Sequence, residues 1–277
     1  MSDGVAPIAV REYGERSAPH VVVLHGGPGA PGSVASLARE LSDRFHVLEP
    51  LQRRSGAVPL TVAQHVDDLA RVLPGRMPIV GWSWGAMLGL SLAVDHPDLV
   101  ESLVLIGCGT YDPSARATFA SAMSRRLGAD GQHRMADLRA ALEATSDPAT
   151  RDHLLAKRGA LSAQAQSVAL IEPNTSDLAA DARGHEETWS DVLRRQNDGL
   201  EPQAFAAITA PVLMIHGDDD PHPGAAIRET LRPFPRQLEY VGIARCGHLP
   251  WLERDGREPC LRTLRTWLRA AEGVVET

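Results

Sequence analysis

Ser83 stands at the centre of Gly81-Trp82-Ser83-Trp84-Gly85, with an apolar run before it and a helical pattern after it. Small residues two positions to either side permit a sharp strand-to-helix turn. Such a turn holds the hydroxyl out at the end of a sheet, with a helix N-terminus behind it. A serine so placed can attack an acyl carbonyl once a base takes its proton. The bland alternative is an ordinary strand-to-helix turn that happens to hold a serine, and the flanking patterns weigh against it. His248, in Cys246-Gly247-His248-Leu249-Pro250-Trp251, follows the last predicted strand and is the candidate base. The acid that would orient it is sought in His216-Gly217-Asp218-Asp219-Asp220-Pro221-His222-Pro223, because after the strand ending at Ile106 no carboxylate comes before Asp112. Asp218 lies where the chain is still leaving the sheet. Asp220 lies further out and precedes a proline, which biases its backbone to an extended form. Asp220 is therefore the expected acid, and the other two aspartates are read as solvated.

His25-Gly26-Gly27-Pro28-Gly29 follows the apolar run Val21-Val22-Val23-Leu24. A glycine-rich turn can aim a backbone N–H into a site because no Cβ blocks the approach. The N–H groups of Gly27 and Trp84 are the expected oxyanion hole for a tetrahedral intermediate. The rival reading, a phosphate-cradling loop, lacks both a Gly-Lys-Ser/Thr ending and a Gly-x-Gly-x-x-Gly pattern. His25 is read as a structural hydrogen-bonding residue. Histidines and aspartates are dense between His216 and His222, but Pro221 and Pro223 stiffen that loop and no helical His-x-x-x-His pair supports a metal, so none is expected. Trp82, Trp84, Trp189 and Trp251 are candidate apolar walls of a substrate pocket, with core packing as the alternative for each; Trp267 is read as core.

These residues must be positioned by strands joined through crossover helices. Short apolar runs alternate with helical patterns: Val21–Leu24, a helix near Ser33 to Leu41, Phe45–Leu48, then Thr61 as the N-cap of a helix carrying Val62, His65, Val66, Leu69 and Leu73. Pro78–Gly81 leads into the Ser83 turn, a largely buried helix through Val94, and a strand over Val100–Ile106. From Tyr111 to about Ala206 no convincing strand is present. Asp112-Pro113 and Asp147-Pro148 read as N-caps followed by N1 prolines, and Phe119, Met123 and Leu127 recur every four residues. The alternation resumes with Pro211–Ile215, a helix near Ala225 to Leu231, Leu238–Val241, and a final helix from about Glu258 to Ala271. The expected class is α/β: a mainly parallel sheet flanked by helices, its core formed by residues 1–110 and 207–277, with residues 111–206 an inserted all-helical cap. Such an insert lies over the carboxyl ends of the strands, where open α/β sheets bind ligands, and is placed to act as a lid.

The chain has 277 residues, enough for one core and one inserted subdomain, with 43% hydrophobic and 23% charged residues. A formal net charge of −7 gives no electrostatic reason to expect nucleic acid or an anionic membrane as partner. Cys108, Cys246 and Cys260 show no Cys-x-x-Cys spacing, the N-terminus has no basic and apolar leader pattern, and no apolar run is long enough to span a bilayer. The expectation is a soluble cytoplasmic protein acting on a small molecule.

With these motifs in place, the chain resembles the α/β-hydrolase superfamily over nearly its whole length. The His-Gly-Gly-Pro-Gly turn and the Gly-x-Ser-Trp-Gly elbow make it most similar to the branch that includes proline iminopeptidases. The order Ser83, Asp220, His248 is that superfamily's order, and Asp220 matches its acid in His-Gly-x-x-Asp. The resemblance implies attack by Ser83, proton transfer through His248, a histidine tautomer fixed by Asp220, release of the acyl-enzyme by water, and no cofactor. Where iminopeptidases carry Asp-Gln-Arg-Gly-x-Gly-x-Ser, this chain reads Leu51-Gln52-Arg53-Arg54-Ser55-Gly56; Glu186 and Glu187, beside Trp189, are its nominees for an amine-binding site. The expected activity is a serine hydrolase cleaving a small ester, thioester, lactone or amide. A proline iminopeptidase-type aminopeptidase is one alternative, and a ligand-binding or non-hydrolytic protein on the same scaffold is the other.

Overall fold

A computed structural model describes residues 6–271. Its sheet has seven strands: β1 (Val10–Tyr13), β2 (His20–Leu24), β3 (His46–Pro50), β4 (Met77–Trp82), β5 (Val100–Ile106), β6 (Val212–Gly217) and β7 (Leu238–Ile243). The order is β1-β3-β2-β4-β5-β6-β7, parallel throughout except that β1 pairs antiparallel with β3. This is the α/β architecture that the alternation of runs implies. β1 gives no signal in the sequence pattern, because Val10-Arg11-Glu12-Tyr13 carries two charged residues on an edge strand and lacks the apolar run that marks the buried strands.

Both faces of the sheet are covered, which is why its strands read as near-continuous apolar runs. Alternate residues of β2 feed opposite cores. Val21 and Val23 pack with Leu37, Ala38 and Leu41 of α1 (Ala35–Leu41) and with Leu261, Leu264 and Leu268 of α8 (Arg257–Ala271). Val22 and Leu24 pack with α2 (Val62–Val72), α3 (Trp84–Asp95) and α7 (Gly224–Leu231). Thr61 caps α2 as its position implies, its hydroxyl accepting from the Gln64 N–H at 3.1 Å.

Between β5 and β6 the chain is mostly helical: α4 (Pro113–Ala144), α5 (Pro148–Gln166) and α6 (Ala182–Asn197), followed by a short 3-10 turn at Gln203–Ala207. Asp112 and Asp147 cap α4 and α5 by accepting from Ala115 N and Thr150 N, each at 2.8 Å. α4 is broken at Gly128, whose φ of 61° and ψ of −176° leave the helical region. One isolated antiparallel bridge, Leu170 to Glu253, ties this segment back to the core.

The strand order reverses between β2 and β4, since β3 lies on one side of β2 and every later strand on the other. In open α/β sheets that crevice, at the carboxyl ends of the strands, is where ligands bind. The turn after β2 and the turn after β4 flank it. They are the His25–Gly29 and Gly81–Gly85 segments.

Candidate active site

Ser83 sits between β4 and α3 with φ 54° and ψ −117°, a conformation that side chains other than glycine rarely adopt. The glycines on either side make the turn possible for a steric reason. A Cβ at Gly81 would lie 2.3 Å from the Gly85 carbonyl oxygen, and one at Gly85 would lie 2.2 Å from the Leu24 oxygen and 2.7 Å from the His25 oxygen. The elbow therefore packs backbone to backbone against both the helix it starts and the turn after β2. Ser83 N–H donates to the Ile106 carbonyl at 2.8 Å, locking the elbow to the end of β5.

His248, in the loop after β7, reaches back along the same edge to the end of β5. Gly107, next after Ile106, is so close that a Cβ there would stand 2.9 Å from His248 Nδ1. Trp82, the residue before Ser83, donates its indole N–H to the His248 carbonyl at 2.9 Å, and its ring centroid is 5.4 Å from the imidazole. The His248 loop is thus fastened to the elbow's own neighbour. Asp220 Oδ2 accepts from His248 Nδ1 at 2.6 Å. That bond puts the proton on Nδ1 and leaves Nε2 as the acceptor, the tautomer a general base requires.

Asp220 is buried and meets three imidazoles: His248, His222 at 3.0 Å through Oδ1, and His216 at 3.2 Å through Oδ2. Burial alone would raise its carboxyl, but attraction to His248, His222 and His216 outweighs it and holds Asp220 well below the usual carboxylate range. His216 runs the opposite way: burial would lower it, and Asp220 more than compensates, so it ends above an ordinary histidine. Burial pushes His222 down to about 4, against the pull of Asp220 and helped by repulsion from His248 and His216. Asp218 and Asp219, by contrast, are exposed. Asp220, His222 and His248 offer ligand atoms within 4.8 Å of one another, a spacing that could hold a cation. The same atoms are bonded to one another through the two imidazole–carboxylate hydrogen bonds, which account for their convergence.

Gly27 has φ 42°, a left-handed turn conformation that frees its N–H from strand pairing, and Trp84 is the first residue of α3, where amide N–H groups have no helical partner. His25 is buried, with Nε2 accepting from Gln52 N–H at 3.3 Å, and Gln52 also takes the Trp84 indole N–H at 2.8 Å. These bonds join the post-β2 turn, the elbow helix and the post-β3 segment into one polar layer. Arg53 is spent on a two-pronged bond to buried Asp68.

The tryptophans divide. Trp251 is fully buried, its indole N–H on Ser36 Oγ at 2.9 Å and its ring edge-on to Trp82 at 5.4 Å. Its ring belongs to the core beneath the His248 loop, not to an open wall. Trp82 is 8% exposed and braces the same loop. Trp189 is half-buried on α6 against the α2–α3 core. Glu186 pairs with Arg151, and Glu187 accepts from Leu60 N–H at 2.9 Å and from Arg183 at 2.7 Å, so both carboxylates are engaged in structural bonds. A cleft of about 450 Å³ between Pro31, Leu51, Arg54 and Leu178 is lined by none of Ser83, Asp220 and His248.

Three neighbours of these residues carry little sequence signal. His222 lies within the His216–Pro223 motif, where its residue type suggests at most a metal ligand; the spacing of Phe119 marks only helix periodicity; Glu253 belongs to no motif. Glu253 is fully buried and accepts from Val168, Ala169, Gly247 and Leu249 N–H groups. His248 N–H in turn donates to the Gln166 carbonyl at 3.0 Å, so the segment after α5 and the base loop share one hydrogen-bond knot.

A sequence profile described as the alpha/beta hydrolase family matches residues 21–258. A pimeloyl-(acyl-carrier protein) methyl ester esterase of Chromobacterium violaceum is 33% identical over 177 residues, covering 60% of this chain and 69% of that protein. A proline iminopeptidase of Neisseria gonorrhoeae is 33% identical over 117 residues, 38% of each chain. Among solved structures, a thermophilic esterase from Thermogutta terrifontis superposes with a TM-score of 0.60 at 22% identity, covering 95% of this chain and 93% of that one.

Proposed function

The chain belongs to the alpha/beta hydrolase family, and on that footing we propose that it is a serine hydrolase cleaving a small carboxylic ester through an acyl-enzyme on Ser83. The observation that carries the reading is the 2.6 Å bond from His248 Nδ1 to buried Asp220, set beside an elbow that holds Ser83 at φ 54°. His248 Nε2 takes the Ser83 proton as Oγ bonds to the acyl carbon. The carbonyl oxygen becomes negative and is met by the N–H groups of Gly27 and Trp84. Collapse breaks the acyl C–O bond, and the alcohol leaves with the proton returned by His248. Water, deprotonated by the same imidazole, then frees the acid and Ser83. Asp220 stays ionised and stabilises the imidazolium.

An ester is favoured over an amide because the methyl ester esterase relative covers more of this chain than the iminopeptidase does. Engagement of Glu186 and Glu187 in structural bonds also leaves them poorly suited to bind a substrate amine. Residues 111–206 serve as the lid in this reading. α6 begins on the post-β2 turn, where Asp181 N–H donates to the Gly29 carbonyl and His185 Nδ1 lies 2.8 Å from the Pro28 carbonyl. No described helix is long and apolar enough to cross a membrane, and the three cysteines are free and buried, which fits work on a small molecule in the cytoplasm.

The test is a fluorophosphonate probe followed by a panel of p-nitrophenyl esters and prolyl-p-nitroanilide. Wild-type protein labels at Ser83 and turns over the esters. Ser83→Ala neither labels nor turns over, with kcat down by about 10⁶, the scale seen when a triad nucleophile is removed. Folded wild type that fails to label, or Ser83→Ala within tenfold of wild type, overturns the assignment.

A further inference from the structure

Asp220 serves two imidazoles in the same way. Oδ2 accepts from His248 Nδ1 at 2.6 Å, and Oδ1 accepts from His222 Nδ1 at 3.0 Å and from the His222 backbone N–H at 2.9 Å. The two rings lie face to face, centroids 4.5 Å apart and planes 22° apart. The outer face of His222 is covered by Phe119 of α4, at 4.1 Å and 26°. A plate of three rings, Phe119, His222 and His248, therefore runs from the helical insert to the base, with the acid bound edge-on to its two inner members. A carboxylate can rotate about its Cβ–Cγ bond, and an imidazole about Cβ–Cγ as well. Fastening Oδ1 to His222 fixes the plane of the carboxylate so that Oδ2 faces His248, with His216 Nε2 also 3.2 Å from Oδ2, and stacking leaves the His248 ring only one plane to occupy.

We propose that His222 is a positioning residue, which by donating to Asp220 Oδ1 and stacking on His248 holds the acid and the base in register and joins both to α4. It touches no reacting atom in this role. The inference rests on the reading of Asp220 and His248 as acid and base, and gives that pair a third member.

The arrangement has an electrostatic consequence. The His222 N–H draws off part of the Asp220 charge that would otherwise favour imidazolium at His248, and the stacked ring keeps water from one face of that imidazole. Other groups face this cluster. His216 touches Asp220 from β6; Asp218 and Asp219 flank it on the loop; Tyr240 of β7 and Cys246 of the base loop both feel the Asp220 charge; and Arg126 of α4 donates to the Asp219 carbonyl. These remain when His222 alone is changed, so a difference between variant and wild type reports His222.

His222→Phe keeps a flat ring between Phe119 and His248 and removes the side-chain donor; His222→Asn keeps a donor and removes the ring. The decisive measurement is an NMR titration of the His248 imidazole in each protein, which needs no turnover. In His222→Phe the His248 midpoint moves up by about half to one pH unit as the carboxylate loses a competing donor, and the acidic limb of kcat/KM moves with it while kcat falls about tenfold. In His222→Asn the midpoint shifts less. A purely structural His222 would lower the melting temperature and leave the midpoint where it was. A midpoint unmoved in folded His222→Phe overturns the proposal whatever happens to kcat, and His222→Leu, which also lacks the donor, supplies the same comparison if the Phe variant does not fold. If wild type fails to label with fluorophosphonate yet the midpoint moves, the hydrolase reading falls and the positioning role stands.

Discussion

Acidification from pH 7.5 to 5 destabilises this protein through histidines that burial keeps neutral, and His65 gives the cleanest measure. It lies on α2 at 3% exposure, its Nε2 3.0 Å from the Thr188 hydroxyl of α6, and its ring edge-on to Trp84. Nδ1 has no hydrogen-bond partner among the described residues. Burial lowers His65 to about 4; Arg53 pushes the same way, while Asp68, Asp181 and Asp191 resist. In the unfolded chain the same imidazole titrates near 6.5. Because the folded value is the lower one, the unfolded state binds the proton first. The neutral form's contribution is fully present above about pH 6.5 and is lost as pH falls toward 4. Linkage between those two values gives a loss of about 2 kcal/mol at pH 5. His25 and His222, also lowered to about 4, add losses of the same sign, and raised His216 acts oppositely. To isolate His65, wild type and His65→Gln are unfolded in urea at pH 7.5 and at pH 5. Groups remote from His65 cancel in the difference of differences, while His25, which feels the His65 charge, makes a smaller coupled contribution that remains. Wild type should lose about 2 kcal/mol more than the variant between the two pH values. Equal losses would refute the argument that burial governs His65.

The choice of acid is tested by Asp220→Asn, which should keep the fold and lose up to about 10⁴ in kcat; Asp218→Asn and Asp219→Asn, at exposed positions, should stay within a few-fold in steady-state assays with a p-nitrophenyl ester. Gly85→Ala should lower the melting temperature sharply or prevent folding, since its Cβ would stand 2.2 Å from the Leu24 carbonyl oxygen. Gly56→Ala, with nothing within 4 Å of its Cβ, should melt like wild type by calorimetry.

What was legible in the sequence follows from how local each signal is. β2, β4, β5 and β6 are buried on both faces, so each prints an apolar run that needs no knowledge of its neighbours. The elbow prints glycines because backbone atoms at 2.2 and 2.3 Å leave no room for a Cβ. Thr61, Asp112 and Asp147 print caps because the cap bond spans only three residues. β1 prints nothing, since an edge strand paired only with β3 has no need of an apolar run. Trp251 and Trp82 lie in the core and not on a pocket wall, a difference the sequence does not print because a large apolar ring at the end of a strand or in a loop looks the same from sequence whether it faces a pocket or the core beneath it. His222 was visible as a residue, but its role depends on Phe119, more than a hundred positions earlier, and on a ring plane that sequence does not encode.

The same non-local bonds bear on how a lid could serve chemistry. An insert that merely covered the crevice would touch its rim. This one is tied to three of the loops that carry candidate residues, those of Gly27, Asp220 and His248. α6 holds the post-β2 turn through Asp181 and His185; α4 presses Phe119 onto His222 and so onto the acid and base; and the segment after α5 is bonded to the His248 loop through Gln166 and the four N–H groups gathered by Glu253. A carboxylate at 0% exposure is tolerable only while its acceptor sites are filled, so moving residues 166–170 away would strip Glu253 of two of its four N–H donors, those of Val168 and Ala169, and would take the Gln166 carbonyl from the His248 loop. Opening by rigid displacement of the whole insert is therefore costly, because it would unmake the geometry of His248. Substrate entry that preserves the site has to use the parts of the insert free of these bonds. The break at Gly128, where φ is 61° and nothing lies within 4 Å of a Cβ, separates the part of α4 that carries Phe119 from its C-terminal part, and such a partial opening would be expected to pivot there.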